Sequence, residues 1–343
     1  MLYNYTVKNK NASWIKAWIQ TFGWVIVAGV LLYLSLRNVD LTKVWLTLSR
    51  ANGWYLGLAI LSVAINTGSK VIRWQVMLST SDRRVGMGKA LIALLIGQTL
   101  NWYVPGRVGD LGRVYLIGNY GARRSFALGT VALEKILDLL CYVLIFLLTL
   151  LLFPLPAIVN DSVYTLSAVT LILIVTVFLL AHYPSEIIAQ LKRLIVFLPR
   201  RIQTAITPRL ESGMQSLLIV RSRPELSRLA FWSAVVWGTA ILTNHLAALA
   251  IGIHLPVLAS MVVLVMLQAG VSVPTVPGRI GIFQYLCILA LGLFNIDAGS
   301  GLSYGILLQA IIFVPTTLLS LIFISSIGFD RVRGAGSVTA DIE

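Results

Sequence analysis

The sequence predicts an all-α, polytopic integral membrane protein, and three observations predict it: composition, the length of the apolar runs, and the placement of the basic residues. Of 343 residues, 58% are hydrophobic and 12% charged, against about 25% charged in soluble domains; mean hydropathy is +0.87. Apolar runs recur at about the 20 residues that a hydrocarbon core requires, and helices satisfy their own backbone there. An ordinary soluble domain and a disordered chain are excluded. No long hydrophilic block is left for a separate soluble catalytic domain, so any chemistry is expected in the membrane or at its surface.

Taken in order, the first apolar stretch, 18–36, follows a basic leader with Lys8, Lys10 and Lys16. It lacks an Ala-x-Ala-like cleavage site and reads as an uncleaved anchor helix. Further spans are expected at 54–76, 126–153, 163–183, 229–251 and 302–326. Two regions fall short of the yardstick. Residues 90–104 and 257–273 each run into a Pro/Gly break followed by a second short apolar piece, 108–120 and 282–294. Such segments read as re-entrant or broken helices, whose freed backbone groups are buried in protein or line a wet cavity. The whole chain, 1–343, is expected to form a single membrane domain of about eight transmembrane helices plus the two re-entrant segments.

Basic residues orient it. The net charge of +14 arises from 27 Lys and Arg against 13 Asp and Glu, but the positives lie in short loops, where topology and anionic lipid explain them and nucleic acid need not. The loop 184–228 holds eight of them, among them Arg200 and Arg201, and is expected to be cytoplasmic. Within it, Ile187, Ile188, Leu191, Leu194, Ile195 and Leu198 form a stripe, either an amphipathic helix on the inner leaflet or part of a solvated loop. The cations Arg73, Arg83, Arg84 and Lys89 are placed on the same side, and the cation-free loops 154–162 and 252–256 outside. Both termini are expected to be cytoplasmic, in the cell (inner) membrane. Cys141 and Cys287 sit in apolar runs and read as packing residues. Asn244-His245 reads as a hydrogen-bonded packing pair or, less simply, a relay. The histidines and cysteines are scattered, so neither metal nor cofactor is expected.

The most informative feature is an internal repeat. Pro105-Gly106-Arg107-Val108-Gly109 returns as Pro277-Gly278-Arg279-Ile280-Gly281 at an offset of 172 residues, each preceded by a Gln, Gln98 and Gln268. The same offset roughly superposes 54–76 on 229–251 and 126–153 on 302–326, giving repeats at about 54–153 and 229–326. If 90–120 returns to its own side, as cytoplasmic Arg123 and Arg124 require, an odd number of crossings inverts the second copy. Inverted repeats with broken helices are the architecture of many transporters. The plainer alternative makes each Pro-Gly pair a tight turn between helices.

Charges cluster beside the first break. Arg107, Asp110 and Arg113 follow it, while Glu134, Lys135 and Asp138 lie within the next helix, with Glu134 and Asp138 on one face. Asp138 would lie roughly 18 Å along from Phe126, and ionisable groups at such depth are costly unless paired or functional. Internal pairing would make the cluster a staple. Arg279, with no acid in its own half between Glu225 and Asp297, tips the combined charge positive and favours a phosphate-bearing visitor.

Asn101-x-x-x-Pro105-Gly106-Arg107-x-Gly109-Asp110-x-x-Arg113, then Leu133-Glu134-Lys135-x-x-Asp138, then Pro274-x-x-Pro277-Gly278-x-Ile280-Gly281 resembles the transmembrane region of lysylphosphatidylglycerol synthases and related flippase-like membrane proteins. The resemblance covers almost the whole chain. It implies translocation of an aminoacylated phospholipid between leaflets, without the family's soluble aminoacyl-transferase domain. Where the family's last motif usually reads Pro-Gly-Gly with a Glu shortly after, this chain has Arg279 and Gln284, a change that suits an anionic lipid or lipid-linked carrier better than a cationic one. The expected function is therefore lipid translocation and not enzymatic turnover, with Gln98, Asn101, Pro105, Gly106, Arg107, Asp110, Arg113, Glu134, Asp138, Gln268, Pro277, Gly278, Arg279 and Gln284 as candidate substrate-binding residues. Membrane lipids are the expected partners, with a second copy or an envelope-synthesis enzyme as further candidates. The alternatives are a membrane-embedded glycosyl- or acyltransferase using a lipid-linked donor, or an accessory subunit of envelope-lipid assembly.

Overall fold

The structure, a computed structural model, describes residues 29–30, 32–36, 39–79, 85–104, 108–152, 211–271 and 277–340, with isolated positions between 171 and 207; side chains are described as far as Ser325. Among these residues the fold is all-helical: α1 (Leu41–Ser49), α2 (Gly53–Leu78), α3 (Met87–Tyr103), α4 (Val108–Asn119), α5 (Arg124–Leu152), α6 (Arg223–Ala250), α7 (Val257–Val271), α8 (Ile282–Gly292) and α9 (Ala298–Ala340). Four of them are long and apolar enough to cross a membrane: α2, α5, α6 and the stretch Ala298–Ser325 of α9. The expected spans at 18–36 and 163–183, the outer loop 154–162 and the stripe from Ile187 to Leu198 fall wholly or largely outside the described residues.

Helix starts follow the local chemistry. Asp40 Oδ1 accepts from Thr42 N–H at 2.9 Å, Asn52 Oδ1 from Trp54 N–H at 2.9 Å, and Asp297 Oδ1 from Gly299 and Ser300 N–H at 2.9 and 3.0 Å, each satisfying first-turn donors that a helix leaves without partners. The Ser300 hydrogen bonds, side chain first and backbone next, hold the Asp297 carboxyl below its ordinary range. Helix α1 was not expected, being too short for the membrane yardstick. Helix α6 begins at Arg223 rather than 229, because Pro224 suits the first turn. Residues 211–217 are helical too, and Leu218–Arg221 form a 3-10 turn, so the C-terminal part of the basic 184–228 segment is helix and not loop.

Two apolar cores lie at opposite ends of the long helices. One gathers Trp74, Met77 and Leu78 from the end of α2, Ala90 from the start of α3, Ile117 from the end of α4, Phe126 from the start of α5 and Leu229 from the start of α6. The other gathers Ala59 from the start of α2, Leu246 and Ala248 from the end of α6, Val263 of α7, Leu291 of α8 and Leu308 of α9. Helices α2 and α6 therefore run antiparallel and pack along their length, tied at one end by Asn52 N–H donating to the Ala250 carbonyl at 2.7 Å. Pairs α3/α4 and α7/α8 are helical hairpins, each packed on itself. The open ends of the first sit in one core and much of the second lies in the other. Trp102, near the tip of α3, stacks on Phe313 at 4.1 Å between centroids, and Phe313 meets Phe283 of α8 edge-on at 6.2 Å.

One charge-based placement is corrected. Arg73 belongs to no loop: it lies within α2 and is 1% exposed. Its guanidinium has an internal partner, which removes the need to reach a polar surface.

Candidate functional site

The first break is built on a close backbone crossing. A Cβ added at Gly109 would strike the Gly97 carbonyl and stand 2.8 Å from the Asn101 backbone nitrogen, and one at Gly97 would stand 2.8 Å from the Gly109 carbonyl. Only glycines allow α3 and α4 to approach so nearly. Asn101 Nδ2 donates to Asp110 Oδ1 at 3.1 Å across the same crossing. Thr99 and Tyr103 bond Ser320 and Thr317 of α9, at 2.7 and 3.3 Å. Pro105, Gly106 and Arg107 lie outside the described residues.

Behind the hairpin runs a paired network. Arg113 Nη1 donates to Glu134 Oε2 at 2.9 Å, and its Nη2 stands 3.4 Å from Asp110 Oδ1. Lys135 Nζ lies 3.3 Å from Asp110 Oδ2. Arg73 Nη2 meets Asp138 Oδ1 at 2.8 Å while its Nη1 donates to Ser233 Oγ at 3.1 Å. The Arg113 guanidinium lies 5.0 Å from the centre of the Trp74 ring. Four of the expected site residues, Asp110, Arg113, Glu134 and Asp138, are thus brought into one network, in which Arg113 holds Asp110 and Glu134. Asp138 takes its partner from Arg73, a residue the charge ledger of the sequence had assigned elsewhere. These pairs join α2, α4, α5 and α6 into one wall.

The second break is a tight backbone device. Gly278 has φ 75°, Arg279 φ 57° and Gly281 φ 90°, positive-φ positions within one short turn that favour glycine and strain an arginine. Gln284 explains how the loop holds: its Oε1 accepts from Gly281 N–H at 2.8 Å, its Nε2 donates to Gln309 Oε1, and Gln309 Nε2 donates to the Gly278 carbonyl. Gln284, expected to meet substrate, is here a loop-holding residue. Replacing Gly278 by alanine is expected to destabilise the protein by about 1–2 kcal/mol, read as a lower unfolding midpoint in detergent, and Gln309→Leu is expected to do the same by freeing the Gly278 carbonyl.

Between the two hairpins lies a cavity of about 180 Å³. Helix α2 contributes Asn66, Thr67 and Lys70, α3 contributes Gln98 and Trp102, and α7 contributes Gln268. Arg279 of the second break reaches it, as do Thr243 and Asn244 of α6, Phe283 of α8 and Phe313 and Thr316 of α9. The structure therefore unites Gln98, Gln268 and Arg279 of the expected residues in one chamber, and separates them from the paired carboxylates. Gln98 Oε1 is buried and accepts no hydrogen bond from the described residues. Asn66 Nδ2 is spent on the Val236 carbonyl at 2.6 Å and Thr239 Oγ1 at 2.9 Å. Lys70 is absent from the ion pairs formed among the described residues. Sequence reasoning missed Asn66, Thr67 and Lys70, although their i, i+1, i+4 spacing in an apolar helix marks a polar face. Asn244 serves packing as well: its Nδ2 donates to the Ser260 carbonyl at 3.4 Å, and its own carbonyl accepts from Tyr304 Oη at 3.1 Å.

A chamber lined by cations and amides, set between two broken hairpins of an all-helical membrane protein, calls for comparison with known membrane proteins. No curated protein matches the chain. The family model described as the lysylphosphatidylglycerol synthase TM region matches residues 20–320, a range that includes both breaks, the paired network and every residue of the cavity. The chain belongs to the family of lysylphosphatidylglycerol synthase transmembrane regions.

Proposed function

We propose that this protein moves a lipid between the leaflets of the cytoplasmic membrane, taking the head group through the cavity while the acyl chains stay in the bilayer. The observation that carries the reading is the chamber itself, polar and cationic, at the meeting of two hairpins whose ends lie in opposite cores. Read with the recurring Pro-Gly-Arg-x-Gly, the hairpins are two inverted copies, one gating the chamber from each side. Buried polar groups are costly in hydrocarbon, which favours a chamber that stays wet or receives a polar visitor. The paired network plays a different part from the one its charge suggested. With Arg113 and Arg73 already committed to Glu134 and Asp138, the network forms the rigid wall, and Lys70 is the cation offered to the head group.

The proposal makes the protein a transporter and not an enzyme. Its test is reconstitution of the purified protein in vesicles carrying a head-group-compatible fluorescent phospholipid, with inner-leaflet label reported by an impermeant quencher. Wild type is expected to expose inner-leaflet label in a protein-dependent way, and Gln98→Leu with Gln268→Leu to slow this by about tenfold or more through loss of two hydrogen-bonding groups. Folded wild-type protein that leaves the label where it was would overturn the proposal.

A further inference from the structure

One seam in the wall of the chamber is built to part. Resting on the lipid-translocating reading, we infer that the acyl chains of the moving lipid pass between α3 and α9, in a slot that opens at the Trp102–Phe313 stack and hinges at Pro315.

Size requires a slot. At about 180 Å³ the chamber is smaller than the roughly 300–1,000 Å³ of pockets for drug-sized ligands. A small head group fits, but a pair of acyl chains does not and must leave through the wall into hydrocarbon. Elsewhere the wall is firmly tied. Helices α2 and α6 pack along their length, with Ser62 Oγ donating to the Thr239 carbonyl at 3.0 Å and Asn66 Nδ2 to the Val236 carbonyl at 2.6 Å. Buried ion pairs join α2 and α4 to α5.

The ties between α3 and α9 are of another kind. Trp102 and Phe313, one from each helix, line the chamber and close it by stacking at 4.1 Å, both buried. Two hydroxyl pairs flank the stack, Thr99 with Ser320 at 2.7 Å and Tyr103 with Thr317 at 3.3 Å. Ser320 spends its own hydrogen on the Thr316 carbonyl at 2.8 Å, so Thr99 is the donor of its pair. Such bonds between membrane helices are individually weak and readily find other partners. Along this stretch α9 exposes Val314 and Leu318, and the end of α3 leads into exposed Val104, an apolar surface suited to hydrocarbon chains.

Pro315 supplies the hinge. Lacking an N–H, it leaves the Ile311 carbonyl without its usual helical donor and interrupts the ladder of α9. The two halves of α9 are anchored to different neighbours on either side of it. Before the proline, Tyr304 Oη donates to the Asn244 carbonyl of α6 at 3.1 Å and Gln309 Nε2 to the Gly278 carbonyl. After it, Thr317 and Ser320 meet α3. Thr316 Oγ1 and Ser320 Oγ also donate to carbonyls four residues back, at 2.9 and 2.8 Å, a pattern that bends helices. The C-terminal half is therefore free to swing from α3 while the N-terminal half stays with the second break.

The test locks the seam. The hydroxyl oxygens of Thr99 and Ser320 stand 2.7 Å apart, close to the roughly 2 Å of a disulfide. Full-length Thr99→Cys with Ser320→Cys, in a Cys141→Ala, Cys287→Ala background, is reconstituted with the fluorescent phospholipid of the quenching assay and, separately, with a phospholipid carrying a diazirine at the end of one acyl chain. The reduced protein is expected to move lipid and, on illumination, to take label at Trp102 or Phe313. Oxidation is expected to lower both by about tenfold or more, and dithiothreitol to restore them. Lipid movement at the reduced rate after oxidation overturns the slot, as does label at Trp102 and Phe313 that oxidation leaves unchanged. Pro315→Ala, which restores the missing N–H, gives a second measurement that stands even if the cysteine pair is inactive when reduced. It is expected to slow lipid movement about tenfold with the unfolding midpoint held or raised, and a wild-type rate overturns the hinge. Wild type that moves no lipid overturns the translocation reading and the slot with it, whereas lipid movement through a locked seam overturns the slot alone, so the two failures are distinguishable.

Discussion

Replacing Arg113 by alanine is expected to cost about 3–5 kcal/mol of stability, because it strands buried charge and does not merely remove a contact. Glu134 is 8% exposed and Arg113 3%, and the guanidinium also faces Asp110 and the Trp74 ring. Taking away the cation leaves a carboxylate among α2, α4 and α5 with no direct ion pair, Arg73 being committed to Asp138 and Lys135 to Asp110. Glu134→Ala is expected to act in the same direction, leaving the guanidinium only the longer Asp110 contact at 3.4 Å. The double variant Arg113→Met with Glu134→Leu should recover much of the loss, since a buried pair replaced by apolar side chains of similar size is often neutral or stabilising. Thermal unfolding of the four proteins in one detergent gives the answer. Single variants within about 1 kcal/mol of wild type would mean that this pair is wet and screened, in the manner of a surface salt bridge.

Gly109→Val is the second large effect, and its origin is steric. The added carbons would collide with the Gly97 carbonyl and crowd Asn101, both on the facing helix, where no flexible side chain can move aside. Helices α3 and α4 would have to part, breaking the Asn101–Asp110 bond and displacing the network. Overpacking of a tight core costs typically about 1–3 kcal/mol, and here the loss should also appear as slowed lipid movement, since Gln98 lies beside Gly97. Gly57 and Gly68 of α2 provide the control. An added Cβ at either meets nothing within 4 Å, so Gly57→Ala or Gly68→Ala should be neutral or should gain about 0.5–1 kcal/mol from lower helix entropy cost. A Gly109 variant as stable as the Gly57 variant would contradict the close crossing.

Much of the fold was legible because membrane helices are written in long-range averages. Hydropathy over about 20 residues placed α2 and α5 within two residues at each end, and Pro/Gly punctuation placed both breaks. What it missed was decided by individual side chains. Helix α1 is a short helix held by the Asp40 cap, a signal that an apolar-run yardstick passes over. Arg73 looked like a loop cation because it stands near Arg83 and Arg84 in sequence, and its partner Asp138 lies on another helix, a pairing no local pattern can show. Gln284 was read by analogy with a family carboxylate, while the structure uses its amide to hold a left-handed turn. Gln98, Gln268 and Arg279, which line one cavity, were picked out by the repeat. Lys70, with no repeat counterpart to draw the eye, became visible only when α2 was packed against α3 and α6.

The central claim is a chamber reached by the head group through two gates, and cysteine accessibility at Gln268 tests it most directly. In a Cys141→Ala, Cys287→Ala background, Gln268→Cys would be exposed in sealed vesicles to an impermeant, negatively charged thiol reagent from either side. The account predicts modification from both sides, slowed when an anionic lipid such as phosphatidylglycerol is added. A thiol that reacts from neither side, or at a rate indifferent to the lipid, would contradict it.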